Sequence, residues 1–479
     1  MVGGGGGNVE TIMKRLLIII LVLVTYSQSY GQWVQLGESI KQTKRGGSFA
    51  YTLAISGDGL TVIVGSYTSS EFEKYAGKIQ VFRFQNEKWE QIGDDIHGIL
   101  NDEFGWAVDI SFDGNIIAVS ARKLQIGFVR VFRYSSNKWI QMGGDLDTGK
   151  NNDFFGFALA VNNKGDVVIV GAIHNDRGKV TTFEFKDEKW VIKGDIIEGD
   201  NANSGSSVSV NGEGNIIALN AGGDIRVYKY ENNNWKQMGN EIPHTGSSTI
   251  INLSNDGFTF SLGMVSDVSY GKDGGRTRVL EYDGNDWIQL GQVFYNHSGR
   301  TAKINGEGNI IATGGSANID DKGQSYFNPK VYSLFNGQWR DLGLSIDEEE
   351  NNNFIGSVIS LSDDGFTIAI GGLSKISQFG YTEDVRIYTH STRTFVKNQE
   401  EHQNIKLYPN PANDLVSIDV DGIDLMNEFT IIDINGKSVY NRTSPNSNLT
   451  IDLKQFSSGV YYLIIKNKEG TSREKLIVQ

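Results

Sequence analysis

Six histidines could in principle do chemistry: His97, His174, His244, His297, His390 and His402. None forms an H-x-x-x-H or H-E-x-x-H pair, and most fall in predicted loops, so they are read as solvated loop side chains rather than ligands or bases. Cysteine is absent, which excludes a thiolate metal site, a cysteine nucleophile and a disulfide framework. The run Asp145-x-Asp147-x-Gly149-x-Asn151-x-Asp153 places oxygen donors at alternate positions, as a hard cation such as calcium would take them. Lys150 sits in its middle and a bidentate glutamate is lacking, so a polar loop is the simpler expectation; the acidic stretch Asp347 to Asn353 is read the same way. No cofactor is expected. Glycoside hydrolysis needs two carboxyl groups about 5 to 10 Å apart, one with a raised pKa. The obvious acids, Asp58, Asp113, Asp256 and Asp364, each precede a glycine between two apolar runs, where a turn already accounts for them. No G-x-x-x-x-G-K-[ST] phosphate loop is present, and a formal charge of −13 argues against a nucleic-acid partner.

The elements that would position such residues follow a repeat. Trp33, Trp89, Trp139, Trp190, Trp235, Trp287 and Trp339 each open a W-x-x-x-G unit, and seven x-Gly turns, from Asp58-Gly59 to Asp364-Gly365, form an independent series. Both series have a mean period of about 51 residues, in the range of propeller blades. Within a period an alternating strand precedes the x-Gly turn and a more continuously apolar one follows it, as for a strand covered on both faces. A third strand with aromatics, an Asn/Lys-rich turn and the tryptophan strand complete the set. Aspartate or asparagine beside glycine predicts type I′ hairpins at the x-Gly turns. Four antiparallel strands per repeat, seven times, predict a seven-bladed β-propeller in an all-β protein. Closure is expected from Trp33 to Gly37, an orphan strand that supplies the fourth strand of the last blade, with Phe395 as the rival. The 58 glycines fit many tight turns.

The two ends read differently. Lys14 and Arg15 precede the apolar run Leu16 to Val24 and a polar stretch ending in small residues, the layout of a secretory signal peptide. Nine residues span about 13 Å as a helix, against about 30 Å of hydrocarbon, so no transmembrane anchor is expected. Cleavage is placed between Gly31 and Gln32, and residues 1–31 are assigned to a start extension plus leader. The body spans 32–395, a polar linker 396–404, and a small Ig-like β-sandwich 405–479. Residues 33–404 carry the whole −13, since the leader's +1 and the tail's −1 cancel.

Glycines after the second strand (Gly65, Gly171, Gly314-Gly315, Gly371-Gly372) followed by an aromatic and tryptophan resemble the kelch repeat, and Phe104-Gly105 and Phe155-Gly156 resemble FG-GAP repeats. In the tail, Leu407-Tyr408-Pro409-Asn410-Pro411, Leu415-Val416-Ser417-Ile418, Gly436-Lys437, Gly459-Val460-Tyr461-Tyr462 and Lys475-Leu476-Ile477-Val478 occur in order. This series closely resembles the type A C-terminal sorting domain of the type IX secretion system of Bacteroidota. The resemblance implies Sec entry to the periplasm, passage through the outer membrane by the secretion machinery, and release or surface attachment. The expected function is a secreted or surface-held, non-enzymatic binding module for a glycan or protein; the alternative is an exported polysaccharide hydrolase with a loop-built site.

Overall fold

The computed structural model describes residues 32–42, 48–122, 126–147, 153–174, 176–244, 248–265, 276–295, 301–314, 317–319, 325–327, 329–343, 346, 354–377, 380–393, 405–410, 412–420, 427–433, 438–444, 448–457, 459–466 and 471–478. Among these, every regular element is a β-strand. The chain divides into two compact units, residues 1–392 and 393–479.

The first unit holds seven antiparallel sheets of four main strands each. Blade 1 is Thr52–Ile55, Thr61–Ser66, Lys78–Gln85 and Lys88–Gln91. Blades 2 to 6 repeat that order, with inner strands Val108–Ile110, Phe155–Val161, Val208–Val210, Ser248–Leu253 and Ala302–Ile304. Blade 7 combines Phe354–Leu361, Thr367–Ser377 and Gly380–His390 with Trp33–Gln35 from the start of the unit. Trp33 pairs with His390 and Gln35 with Tyr388, while Gln32 and Ser391 are tied by two hydrogen bonds. Phe395 lies outside the described residues.

Second strands are buried along their length, as Val62, Ile63 and Val64 illustrate, because neighbouring blades cover both of their faces. Apolar side chains gather between blades in seven clusters, one at each joint. Ile63, Ile79 and Val81 of blade 1 meet Ile117, Val119 and Phe132 of blade 2, and Ala369, Val385 and Ile387 of blade 7 meet Val62 and Val64 of blade 1. Each large aliphatic side chain buried there contributes about 2 kcal/mol.

The W-x-x-x-G unit has a physical explanation. The indole N–H of each repeat tryptophan donates to the carbonyl three residues after the preceding one: Trp89 to Leu36, Trp139 to Ile92, Trp190 to Met142, Trp235 to Lys193, Trp287 to Met238 and Trp339 to Leu290, at 2.7–2.9 Å. Trp33 donates to Leu342 at 2.8 Å and closes the circle. The glycine of each unit has left-handed backbone, and those of the first six units lie against the next indole; a Cβ on Gly93 (φ 69°) would sit 2.6 Å from Cδ1 of Trp139. Beyond that glycine the chain doubles back along the third strand in a short segment such as Ile96–His97, which the repeat pattern does not foretell.

The type I′ turns fall elsewhere than expected. At the x-Gly turns only the glycine is left-handed, as at Gly59 (φ 70°), and the side chains organise the bend. Ser56 accepts the Thr61 N–H and donates to Asp58, which also accepts from Leu60 N. The same arrangement recurs at Ser111/Asp113, Ser254/Asp256 and Ser362/Asp364. Two consecutive left-handed residues, the type I′ mark, occur instead between third and fourth strands, at Asn86-Glu87, Ser136-Asn137, Asp187-Glu188, Asn232-Asn233 and Asn336-Gly337.

The second unit is a sandwich. One sheet comprises Ile405–Tyr408, Leu415–Val420 and Asn448–Asp452; the other comprises Ser438–Ser444, Asn427–Asp433, Gly459–Lys466 and Thr471–Val478. Val416, Ile418, Phe429, Ile431, Ile451, Leu463 and Leu476 fill its core.

Candidate functional site

Each inner strand contributes to the lining of a central channel, with Ala54, Asp109, Ala160, Ser209, Asn252, Lys303 and Ser360 at equivalent positions. Four of them accept a backbone N–H from the next blade: Ser360 from Ile55, Asp109 from Val161, Ser209 from Leu253 and Asn252 from Ile304, at 2.8–3.1 Å. Alanine and lysine have no acceptor to offer. Water reaches Asp109 and Lys303, which are only half-buried, although protein surrounds the channel. Burial pushes the Asp109 carboxyl above its ordinary pKa while the Lys303 ammonium pulls it down; burial pushes Lys303 below its ordinary value, opposed by Asp109. The cavity is 160 Å³, room for about five waters and below the roughly 300 Å³ at which small-molecule sites begin.

One end of the channel is belted by backbone. Three residues beyond each channel-lining position, Phe112 N donates to Asn163 O, Asn163 N to Gly212 O, Gly212 N to Asn255 O, Asn255 N to Gly306 O, Gly306 N to Asp363 O and Asp363 N to Gly57 O. Asp58 N to Phe112 O completes the circuit. Asn255 donates to the Asp363 carboxylate at 2.5 Å, and burial raises the pKa of Asp363 against the lowering pull of Asn255 and Asn163. Gly212 and Gly306 leave room for these side chains: a Cβ on Gly212 would meet Asn163 Nδ2 at 2.8 Å, and one on Gly306 would meet Cγ of Asn255 at 3.0 Å.

The opposite ends of the inner strands carry an aromatic cluster. Tyr51, Tyr67, Trp106 and Phe157 come from blades 1 to 3, with ring centroids 4.7 Å apart for Tyr51 and Tyr67, 5.2 Å for Tyr67 and Trp106, and 5.9 Å for Trp106 and Phe157. Trp106 Nε1 donates to Phe157 O at 3.2 Å. The Arg122 guanidinium lies 4.4 Å from the Trp106 ring centre and pairs with Glu103 at 3.3 Å. Tyr51 is 51% exposed. Burial, then the neighbouring Tyr51, raises the pKa of Tyr67, opposed by the Ser48 hydroxyl, which is itself hydrogen-bonded to the Thr68 hydroxyl at 3.0 Å. Sequence reasoning missed this cluster. The available signal was that Trp106 alone among eight tryptophans stands outside the W-x-x-x-G rule.

The remaining candidates fall as follows. Asp145 receives both Nε and Nη2 of Arg130, at 2.8 and 2.9 Å, and the Gln141 amide. Asp153 accepts from Phe155 N, Asp147 is exposed, and 148–152 lie outside the described residues. Among the described residues no group of three His, Cys, Asp or Glu is placed to hold a metal. The histidines are not all solvated: His390 is 3% exposed, packs edge-on against Trp33 at 5.2 Å and hydrogen-bonds Thr392, because it ends the strand that receives the closing segment. His244 is half-buried and its pKa is lowered by burial. His97 stacks on Phe72, the Nδ1 of His174 accepts from Asp176 N, and His297 and His402 lie outside the described residues.

In the tail, Tyr408 precedes a cis peptide to Pro409. Tyr408 and Asn410 are exposed, and Tyr461 is buried with its hydroxyl donating to Ser457 O at 2.9 Å. Gly459 opens the strand Gly459–Lys466, and Lys475 pairs in register with Tyr462. Gly31, Pro411 and Gly436 lie outside the described residues.

Seven blades and this sandwich define a β-propeller protein carrying its own export signal. Residues 406–479 match the family model of the secretion system C-terminal sorting domain, the type IX signal, which engages the secretion machinery and directs the chain through the periplasm to the outer-membrane surface or beyond. No curated protein matches the chain in sequence. Similar solved structures include a candidate 6-phosphogluconolactonase from Bacteroides uniformis (12% identity, 68% of this chain and 94% of that one, TM-score 0.46). Others are Kuenenia stuttgartiensis hydrazine synthase (11%, 69% and 95%, 0.47) and the Dos1 propeller (15%, 74% and 82%, 0.45). Among the described residues no helix is long and apolar enough to cross a membrane.

Proposed function

We propose that the protein is a non-enzymatic recognition module, delivered outside the cell to bind a glycan or protein partner through the face bearing Tyr51 and Trp106. In this reading residues 1–31 are a leader cleaved before Gln32, 32–395 are the recognition body, 396–404 a linker and 405–479 the address, with Tyr408 to Pro411, Gly436, Gly459, Tyr461 and Lys475 as its motif. The observation that carries the reading is how the carboxylates are spent. Those at the turns hold serine hydroxyls and backbone N–H groups. The channel acids are occupied as well, Asp109 by the Val161 N–H and Asp363 by the Asn255 amide, whereas a hydrolytic pair must be free to face the scissile bond. A cavity of 160 Å³ also has no room for a sugar chain. The purified protein on a glycan array, with a parallel assay for released reducing sugar, is expected to bind without releasing sugar. Sugar release that survives purification and is lost in Asp109→Asn would establish the hydrolase instead.

A further inference from the structure

We propose that Tyr51, Tyr67, Trp106 and Phe157, with Arg122 and Glu103, form a binding site for a neutral polysaccharide. The inference rests on the recognition reading and names its ligand class. Seven indoles are committed to blade locks; Trp106 joins none, and its N–H is used only to fix the ring on Phe157. The four rings belong to the ends of strands in three blades, so their arrangement is set by the scaffold before any ligand arrives, which lowers the cost of binding. Aromatic faces carry a negative quadrupole, to which the electropositive C–H face of a pyranose is complementary. Tyr51 is the exposed member that presents such a face.

Around the rings stand the groups that sugar hydroxyls require. The Arg122 guanidinium donates, the Glu103 carboxylate accepts, and the Tyr67 hydroxyl can do either. The charge decides between sugar classes. Arg122 is neutralised by Glu103, and residues 33–404 carry −13, so a polyanionic chain is repelled over the whole body while a neutral one is not. The 160 Å³ channel cannot admit a sugar chain, so the polysaccharide lies across the face.

The test is affinity electrophoresis of the purified full chain in gels containing cellulose derivative, xylan, mannan or α-glucan, with polygalacturonate and alginate as acidic counterparts. At least one neutral polymer should retard the protein and neither acidic one should. Tyr51→Ala and Arg122→Met should each weaken retardation about tenfold, as the loss of roughly 1.4 kcal/mol implies, while Ile140→Ala, at an exposed position in the outer strand of blade 2, should not. Circular dichroism and melting confirm that each variant is folded, since Tyr51 is a surface residue. Retardation unchanged in Tyr51→Ala, preference for the acidic polymers, or binding to a protein partner with no neutral polymer bound overturns the site while leaving the recognition reading in place. Release of reducing sugar brings down that reading itself.

Discussion

At the scale of single residues, the blade joint depends on an absent atom. The glycine of each W-x-x-x-G unit occupies left-handed backbone, and in six units it faces the next indole; for Gly93 the missing Cβ would lie 2.6 Å from Trp139 Cδ1. Both terms oppose any other residue, about 1 kcal/mol from the backbone and about 1 to 3 kcal/mol from overpacking. Gly93→Ala is therefore expected to destabilise the propeller by about 2 to 4 kcal/mol, read as a lowered denaturation midpoint. Gly144→Ala, two residues beyond Met142 and with nothing within 4 Å of its Cβ, should stay within about 0.5 kcal/mol. Equal losses would mean that neither the left-handed backbone nor the indole contact at Gly93 carries the cost. The spacing of tryptophan and glycine was legible because the same joint recurs seven times. The turn acids were assigned to the right place, but their work, accepting a serine hydroxyl and a backbone N–H, depends on side-chain geometry that no periodicity expresses. The aromatic cluster left one trace, Trp106 outside the W-x-x-x-G rule, and no spacing that joins it to the others: positions 51, 67, 106 and 157 meet only because three blades bring strand ends together.

At the scale of elements, the distinctive one is Trp33–Gln35. It completes the ladder of blade 7, its indole supplies the seventh lock, and Leu36 and Ile40 enter the joint with blade 1. Deleting residues 33–37 removes the ladder, the lock and Leu36, leaving only Ile40 in the joint, and exposes the strand Gly380–His390 as an edge. Unfolding of that variant is expected to lose its single cooperative transition, with tryptophan fluorescence and far-ultraviolet circular dichroism no longer coinciding. Trp139→Phe, which removes one hydrogen bond from an interior joint, should cost about 1 kcal/mol and keep one transition. If both variants melt alike, closure adds nothing beyond local packing. Four strands per repeat were readable in the alternation of residues. The short return segments such as Ile96–His97 were not, because two residues are too few to carry a period.

At the scale of the whole molecule, the propeller and the tail have separate tasks. The first unit has no cysteine to staple it, so a chain destined for the cell exterior holds its shape through the lock ring, the belt of backbone bonds and seven apolar joints. The tail supplies the route. A chain lacking residues 405–479, expressed in the native host, is expected to accumulate in the periplasm as a folded propeller, detected by fractionation and protease resistance. Its appearance in the medium at the level of the intact protein would show that the address lies elsewhere. The tail was legible because short motifs occur there in fixed order, whereas the ligand was not, since the acidic balance is spread over the body.

Only one break in covalent continuity interrupts the circle, and it lies within the sheet of blade 7, between Gln35 and Tyr388, and not between two blades. A gap between blades would be sealed by apolar side chains, which accept many partners; one within a sheet is sealed by a ladder whose register is fixed. A second copy offers the strand Gly380–His390 the same segment, identical in sequence and register. Strand exchange between two chains, giving a domain-swapped dimer that buries every group the monomer buries, is thus inherent in this form of closure. At high concentration it competes with closure within one chain, where the segment is held close by its own link to blade 1.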